Sequence, residues 1–382
     1  MRSLDALLDA WHAWAARCLA DERFQRWASR FWLTAPLARR HARDTFDLVA
    51  GFVYSQVLLA CVELGVFDAL VKQGVLHAHD LALSQHLPLE RAECLLRAAV
   101  AVRLLVPRRT GGYGLGPRGA PIAANAGILA MVRHHRALYA DLTDPVALLR
   151  APQPATELAK YWAYASSATP GDLPLSQTAP YSTLMDVSQS LVARQVIDSY
   201  RFARHRCVLD VGGGLGGFVQ ALAQTSADLR LMLFDLPSVV DLARERLRAN
   251  GLGDRVKTFG GDFAHDDLPR GADLVTLVRV VHDHDDDTVV HLLQRVRRVL
   301  PSKGTVLIAE PLAGVEGAQA VGDAYFGFYL LAMGRGRART AAHMAALLER
   351  AGFERPRLLR THMNWQVSVM TAQSPSILRD DV

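Results

Sequence analysis

Residues Val208–Gly217, VLDVGGGLGG, decide how this chain folds. An apolar run that ends in an aspartate and passes into glycines reads as a buried strand, a tight turn and the start of a helix. Such a turn lets the polar groups of a nucleotide approach the backbone N–H groups at the helix start. Gly212, Gly214 and Gly217 satisfy GxGxxG, so on glycine spacing alone a dinucleotide fold is an open reading. The Asp210 carboxylate beside the first glycine can hold a cation such as an amino group. Asp235 ends the next apolar run, LMLFDLP, where a carboxylate can accept hydrogen bonds from ribose hydroxyls. Glycines in a turn are often merely structural. Strand, turn, helix, strand and terminal acid in that order favour nucleotide binding.

The alternation continues outward from this unit. Strands are expected at Val256–Phe259, Asp273–Val278 and Thr305–Ala309, with helices at Val239–Asn250, Thr288–Leu300, Ala324–Met333 and Ala341–Arg350. Arg357–Thr361 and Val367–Thr371 are separated by too few residues for a helical crossover, so they predict a closing antiparallel hairpin. Parallel strands ending in such a hairpin fit a methyltransferase sheet better than a dehydrogenase sheet. The fold class expected is therefore α/β.

The N-terminal half reads as helical. Leu4, Leu7, Leu8, Trp11, Trp14 and Cys18 follow helical spacing, and Phe24, Trp27 and Phe31 repeat it among Arg17, Arg23, Arg26 and Arg30. These segments can pack on their own domain or on a second subunit, or meet a membrane surface, since Trp/Arg helices suit headgroup interfaces. Residues 46–72 predict a long apolar helix ending near Gly65 and then a short one, followed by helices at His79–His86 and Leu89–Val106. The glycine pairs of VPRRTGGYGLGP then fit a hairpin, giving a winged-helix pattern. Its candidate recognition helix carries Leu95, Leu96, Ala98, Ala99 and Val100, too apolar for a DNA groove, which favours dimerisation or packing. Residues 151–180, rich in Pro, Ala and Ser around Tyr161, Trp162 and Tyr164, suit a connection, so domains are expected at 1–180 and 181–382.

Composition narrows the function classes. A net charge of +5 over 382 residues, without basic blocks, gives nucleic acid little support as a partner. The four cysteines, Cys18, Cys61, Cys94 and Cys207, lack metal or redox spacing and read as buried thiols of a reducing compartment. No apolar run reaches about 18 residues, so no membrane span is expected. With no signal-peptide core at the N-terminus, a cytoplasmic protein is expected, peripheral at a membrane if its basic N-terminus touches one.

Asp210, Asp235, Asp262 and the pair Arg279/His282 fall at the ends of successive strands, the edge where open parallel sheets bind ligands. Asp262 with Phe263 can read an adenine, although an aspartate after Gly-Gly is also a common turn residue. His282 is the best catalytic candidate, because a neutral imidazole beside carboxylates is a suitable general base near neutral pH. Glu310, ending the next strand, can reach that imidazole and fix its tautomer. Asp285–Asp287 suit an exposed helix start, with Asp283 capping it.

DVGGGLGG, FDLP, GGDF, LVRVVHDHDD and VLIAEPL occur in the order of the S-adenosylmethionine-dependent O-methyltransferases that include plant caffeate methyltransferases, and the chain resembles that family over nearly its whole length. VELGVFDAL and GGYGLGP resemble the family's dimerisation domain. The resemblance implies a homodimer and a seven-stranded Rossmann-like domain behind a helical, winged-helix-like dimerisation domain. It implies S-adenosylmethionine as cofactor, with contacts at Asp210, Gly212, Asp235, Leu236, Asp262, Phe263 and Arg279. His282 matches the catalytic base and Glu310 one of its two flanking carboxylates. FDLVAGFVYSQVLLACVELGVFD, APYSTLM and FGFYLLAMGRGRART look like the carotenoid hydroxyl methylases of purple bacteria, which implies a tertiary hydroxyl of an acyclic carotenoid as acceptor. Met185, Phe328, Tyr329 and Met333 are then candidates for the acceptor wall, with Tyr325, Phe326 and Leu330 beside them.

Two positions depart from the family pattern. Ala338 stands where the second flanking carboxylate is expected, and His284 where a tryptophan usually follows the catalytic histidine. No ligand cluster has metal-binding spacing. An aromatic pigment or natural product as acceptor needs the same catalytic residues. From other classes, an NAD-dependent oxidoreductase would use the same glycines, and a winged-helix regulator would use the methyltransferase domain only to bind ligand.

Overall fold

The computed structural model describes residues 2–152, 155–161, 185, 189, 192–364 and 366–376. The chain divides into two compact units, Met1–Ala123 and Ala124–Val382. Most of the connection over 151–180, including Trp162 and Tyr164, lies outside the described residues.

The first unit is helical: α1 (Arg2–Ala20), α2 (Glu22–Arg30), α3 (Ala35–Glu63), α4 (Val66–Gln73), α5 (Ala78–Ser84) and α6 (Leu89–Ala101). Asp21 separates the first two helices, its carboxylate capping α2 by accepting from the N–H groups of Arg23 and Phe24. α3 starts earlier than its apolar run predicts, because Pro36 suits a first helical turn and the polar residues after it continue the helix. That continuity makes α3 long and apolar enough to cross a membrane by length and composition, with mean hydropathy 1.6 over its most apolar window. Tyr54, Ser55 and Gln56 interrupt the apolar run, which is why run length alone predicts no span.

Helix α6 is shorter than expected. Apolar spacing carries the prediction to Val106, but Arg103 takes a left-handed φ of 65° and Leu105–Pro107 becomes strand β1. β1 pairs antiparallel with β2 (Tyr113–Leu115), which is the predicted glycine-turned hairpin, and α7 (Gly119–Ala123) follows.

The second unit opens with α8 (Ala126–Asp141), α9 (Pro145–Arg150) and α10 (Glu157–Tyr161). Its sheet holds β3 (Cys207–Val211), β4 (Arg230–Asp235), β5 (Val256–Gly260), β6 (Leu274–Val278), β7 (Thr305–Glu310), β8 (Glu354–Leu359) and β9 (Ser368–Gln373). The order is β5-β4-β3-β6-β7-β9-β8, parallel except for β9 antiparallel to β7 and β8 antiparallel to β9. A dinucleotide dehydrogenase keeps its sixth strand in the parallel series. Here a reversed strand is wedged in instead, so the expected closing hairpin is present and the oxidoreductase reading loses its fold.

Successive residues of the central strands point to opposite faces, and both faces are buried, as a parallel sheet requires. Leu209, Met232, Val275 and Val306 pack one way, against α13 (Asp286–Val299) and α15 (Ala341–Arg350). Val208, Leu231, Leu274 and Leu307 pack the other way, against the helix over 192–199, α11 (Gly217–Thr225) and α12 (Pro237–Ala249). The order reverses at β3, so the crevice at its carboxyl end is the place for a ligand. α14 (Phe326–Met333), preceded by a π-helical turn over Ala320–Tyr325, lies between β7 and α15 in sequence.

Candidate active site

Asp210 and Thr276 are register partners on β3 and β6, and the threonine hydroxyl donates to Asp210 Oδ1 at 2.6 Å. Asp210 Oδ2 is buried and has no hydrogen-bond partner among the described residues. Burial, opposed by the threonine bond and reinforced by nearby Asp235, pushes the Asp210 pKa up to about 7. A buried carboxylate oxygen without a donor is costly, and a bound cation would remove that cost. Gly212 follows at φ +69°, where a Cβ would come within 2.7 Å of Val280 Cγ2, so the turn needs glycine there.

Asp235 at the end of β4 folds back over this turn. Its Oδ2 accepts from Gly214 N at 2.7 Å and its Oδ1 from Leu236 N at 2.7 Å. Burial raises its pKa to about 6 against those two bonds. Asp262 is buried, but its carboxylate serves its own turn, accepting from Ala264 N at 2.8 Å and meeting His265 Nδ1 at 2.9 Å. The Phe263 ring stands edge-on to His284, with centroids 5.2 Å apart. Arg279 holds a left-handed φ of 59°, a conformation that costs a side-chain-bearing residue energy and gathers at functional sites. Its guanidinium lies 2.9 Å from Met185 Sδ.

His282 sits on a short turn after β6 and is 6% exposed. Its Nδ1 is bonded to Glu310 Oε2. Glu310 is anchored by its other oxygen, which accepts from Val280 N at 2.9 Å and Val281 N at 2.6 Å. On the far side of the ring, Nε2 lies 3.0 Å from Asp283 Oδ1. Burial acts to lower the imidazole pKa, but the Asp283 and Glu310 carboxylates outweigh it and hold the pKa above the ordinary histidine value.

Asp283 therefore does not cap the next helix. Asp285 does, accepting from Thr288 N at 2.9 Å, while Asp283 is 2% exposed and turned onto the imidazole. A carboxylate adjacent in sequence thus supplies the second negative charge on His282, and Ala338 packs in an apolar cluster with Tyr329 and Met333. His284, in the tryptophan's place, is half-buried, and desolvation, with the neighbouring His282, lowers its pKa to about 4, so the ring is neutral.

Sequence reasoning missed the clamp that holds this turn. Arg339 is 2% exposed and donates to the carbonyls of Val281 at 2.9 Å and His284 at 2.6 Å, bracketing His282, and to Asp286 Oδ1 at 2.8 Å. Arg337 N donates to the His282 carbonyl at 3.0 Å. Gly336, at φ +79°, permits that approach, since a Cβ there would lie 2.0 Å from the His282 oxygen. The GRGRART run was the available signal, a buried planar cation among turn glycines. Lysine cannot span two carbonyls and a carboxylate as a guanidinium does. Arg339→Lys should lower kcat about 10²-fold, the cost of misplacing a reacting group by about an ångström. Cofactor affinity should stay unchanged in calorimetry. Loss of stability with unchanged turnover would reduce the arginine to a structural part.

The missed pair His134 and His135 on α8 closes the aromatic side of the site. Their Nε2 atoms bond the hydroxyls of Tyr329 and Tyr325, each at 2.8 Å. Burial, and for His134 the neighbouring His135, lowers the His134 pKa to about 4, and burial lowers that of His135. Both phenols are thus satisfied internally by neutral partners. Tyr325 stacks on Tyr329 at 5.7 Å and meets Phe326 edge-on at 5.1 Å, and Phe326 meets His282 edge-on at 5.9 Å. Met185, Tyr329 and Met333 join one apolar cluster, and Phe328 stands outside it, 37% exposed.

Residues 140–354 match the O-methyltransferase domain family and residues 46–120 the O-methyltransferase dimerisation domain. The chain belongs to the O-methyltransferase family. It is 42% identical over 360 residues to the demethylspheroidene O-methyltransferase of Cereibacter sphaeroides, covering 94% of each chain. It is 33% identical over 341 residues to the acetylserotonin O-methyltransferase of Mus musculus, covering 84% of this chain and 86% of that one. Its fold is that of the human N-acetylserotonin methyltransferase, with a TM-score of 0.73 at 24% identity over 88% of this chain and 98% of that one. For this methyltransferase, the residues at the ends of β3, β4, β6 and β7 become a candidate centre for methyl transfer to an oxygen.

Proposed function

We propose that this methyltransferase moves a methyl group from S-adenosylmethionine to the tertiary hydroxyl of an acyclic hydroxycarotenoid, in the synthesis of methoxy carotenoids. The observation that carries the acceptor is the 42% identity, along nearly the whole chain, to a demethylspheroidene O-methyltransferase. The apolar wall of Met185, Tyr325, Tyr329 and Met333 agrees with a polyene, which offers no donors or acceptors to polar groups. S-adenosylmethionine supplies an electrophilic methyl group on a cationic sulfur.

Asp210 fits the amino end of that molecule, because its bare Oδ2 is a buried acceptor for a cationic donor. Asp235 and Leu236 would hold the ribose side, with Gly212 keeping the backbone open to it. Phe263 would flank the base, with Asp262 beside it shaping the turn through Ala264 N and His265. Arg279 steadies the turn between cofactor and acceptor. His282 receives the acceptor proton at Nε2, the nitrogen that faces Asp283, with Nδ1–H donating to Glu310. Asp283 stabilises the imidazolium that forms. An alcohol is a weak acid, so proton removal is concerted with methyl transfer, and alignment of oxygen, carbon and sulfur carries much of the rate.

The matched dimerisation segment supports a homodimer. With a lipophilic acceptor, this reading has a cytoplasmic enzyme meet its acceptor at a membrane surface. The test is incubation with methyl-labelled S-adenosylmethionine and two acceptor panels, hydroxycarotenoids and phenols, with mass identification of the product. Label on a tertiary carotenoid ether is expected. Label confined to phenols would move the acceptor to an aromatic pigment.

A further inference from the structure

We propose that α1 and α2 form a docking surface for an anionic lipid bilayer, by which the enzyme reaches its acceptor. The proposal deepens the reading of a lipophilic acceptor, but it stands on residues outside the active site. Trp11 and Trp14 on α1 are 59% and 51% exposed, and Trp27 and Trp32 at α2 are 52% and 75% exposed. Globular proteins seldom leave indoles so open without a partner. The rings form contiguous pairs, Trp11 with Trp14 at 5.0 Å and Trp27 stacked on Phe31 at 5.2 Å. An indole has an apolar body and one N–H, which suits the depth of lipid headgroups.

Charge selects the occupant. Arg23, Arg26 and Arg30 recur at helical spacing beside the aromatic row, and with Trp27 and Phe31 they line a shallow concavity of about 610 Å³. Guanidinium groups bind phosphate oxygens bidentately, so a phosphodiester headgroup fits this cradle. Of the two acids here, Asp21 is committed to capping α2. Glu22 forms an exposed, solvent-screened pair with Arg26 at 3.9 Å that a headgroup phosphate can displace, while Arg23 and Arg30 face the concavity beside it. The first 45 residues hold eight arginines against five acids, a balance of +3.

A second apolar face in the same unit behaves differently. Phe46, Leu48, Val49 and Phe52 of α3 are also exposed, yet no lysine or arginine lies between Arg43 and Lys72. That face falls within the segment matching the dimerisation domain, which starts at residue 46, whereas α1 and α2 precede it. An apolar face without cations, with Asp47 as its nearest charge, suits a second copy of the chain better than an anionic surface. An aromatic face bordered by arginines suits anionic headgroups.

The test is flotation of the full chain with phosphatidylcholine vesicles, with and without phosphatidylglycerol. Binding is expected only with phosphatidylglycerol, reversed by high salt, with indole fluorescence quenched by brominated lipid. Substituting Arg23→Gln, Arg26→Gln and Arg30→Gln together should weaken binding on the order of 100-fold, from the usual contribution of a basic residue at an anionic surface. The variant should remain a dimer in sedimentation and keep its activity on detergent-solubilised acceptor. Equal binding to both vesicles, no quenching in the unmodified protein, or vesicle binding unchanged in the variant would overturn the proposal. A monomeric variant would show that a second copy covers α2, and would overturn it too. Inactivity of the unmodified enzyme on carotenoid in detergent would count against the acceptor alone, since flotation is read without catalysis.

Discussion

Replacing His282 with alanine lowers kcat by roughly 10²–10⁴-fold, the range for a lost general base, and leaves affinity for S-adenosylmethionine near that of the unmodified enzyme. The imidazole is buried between two carboxylates. Its removal therefore leaves Asp283 and Glu310 facing each other without a cation, a change that can cost about 3–5 kcal/mol of stability. His282→Asn separates the two effects, because an amide still donates to Glu310 but cannot take a proton. Single-turnover transfer should fall to a similar extent in both variants, while thermal unfolding should be closer to normal for asparagine. Turnover near the unmodified rate at saturating acceptor would mean that the alcohol proton leaves by another route.

Replacing Asp210 with asparagine changes how stability depends on pH. The carboxyl titrates at 3.8 when unperturbed and at about 7 in the folded chain. Between those values the native state holds a proton that the unfolded state has lost. The stability from that proton is complete below pH about 4 and is lost as pH rises through about 7. The difference spans about three pKa units, on the order of 4 kcal/mol. Denaturant unfolding of the cofactor-free proteins should show asparagine gaining on aspartate by that amount from pH 4 to pH 8. Cofactor affinity should run the opposite way. It should rise with pH toward 7 in the unmodified protein as the carboxylate forms, and stay flat in the variant. Parallel stability curves would show that Asp210 titrates normally.

Much of this site is legible in the sequence because strand ends are. A short apolar run followed by a polar residue marks the carboxyl end of a strand: Asp235 and Glu310 end β4 and β7, Asp210 stands one residue before the end of β3, and His282 lies four residues past β6. The hairpin of β8 and β9 was legible from spacing alone. What escaped depends on contacts between distant segments. Arg339 reaches residues 55 and 58 positions away, and His134 meets Tyr329 across 195 positions; the glycines around Arg339 mark a turn but not its partners, and nothing local marks His134. Asp283 was misread for a different reason: three further acids follow within four residues, and any of them can cap a helix. The end of α6 was misread because a left-handed arginine leaves no mark on apolar spacing.

The account turns on one group, an imidazole held above its ordinary pKa by the carboxylates of Asp283 and Glu310. The most direct measurement is the pH dependence of single-turnover methyl transfer at saturating cofactor and acceptor, for the unmodified enzyme and for Glu310→Gln. A base must be neutral to act, so the rate should rise with pH through an acid limb lying above 6.5, the ordinary histidine value. Removing one carboxylate charge should shift that limb to lower pH and reduce the plateau. A rate that ignores pH across this range, or an acid limb that stays in place when the Glu310 charge is removed, would contradict a carboxylate-supported His282 as the base.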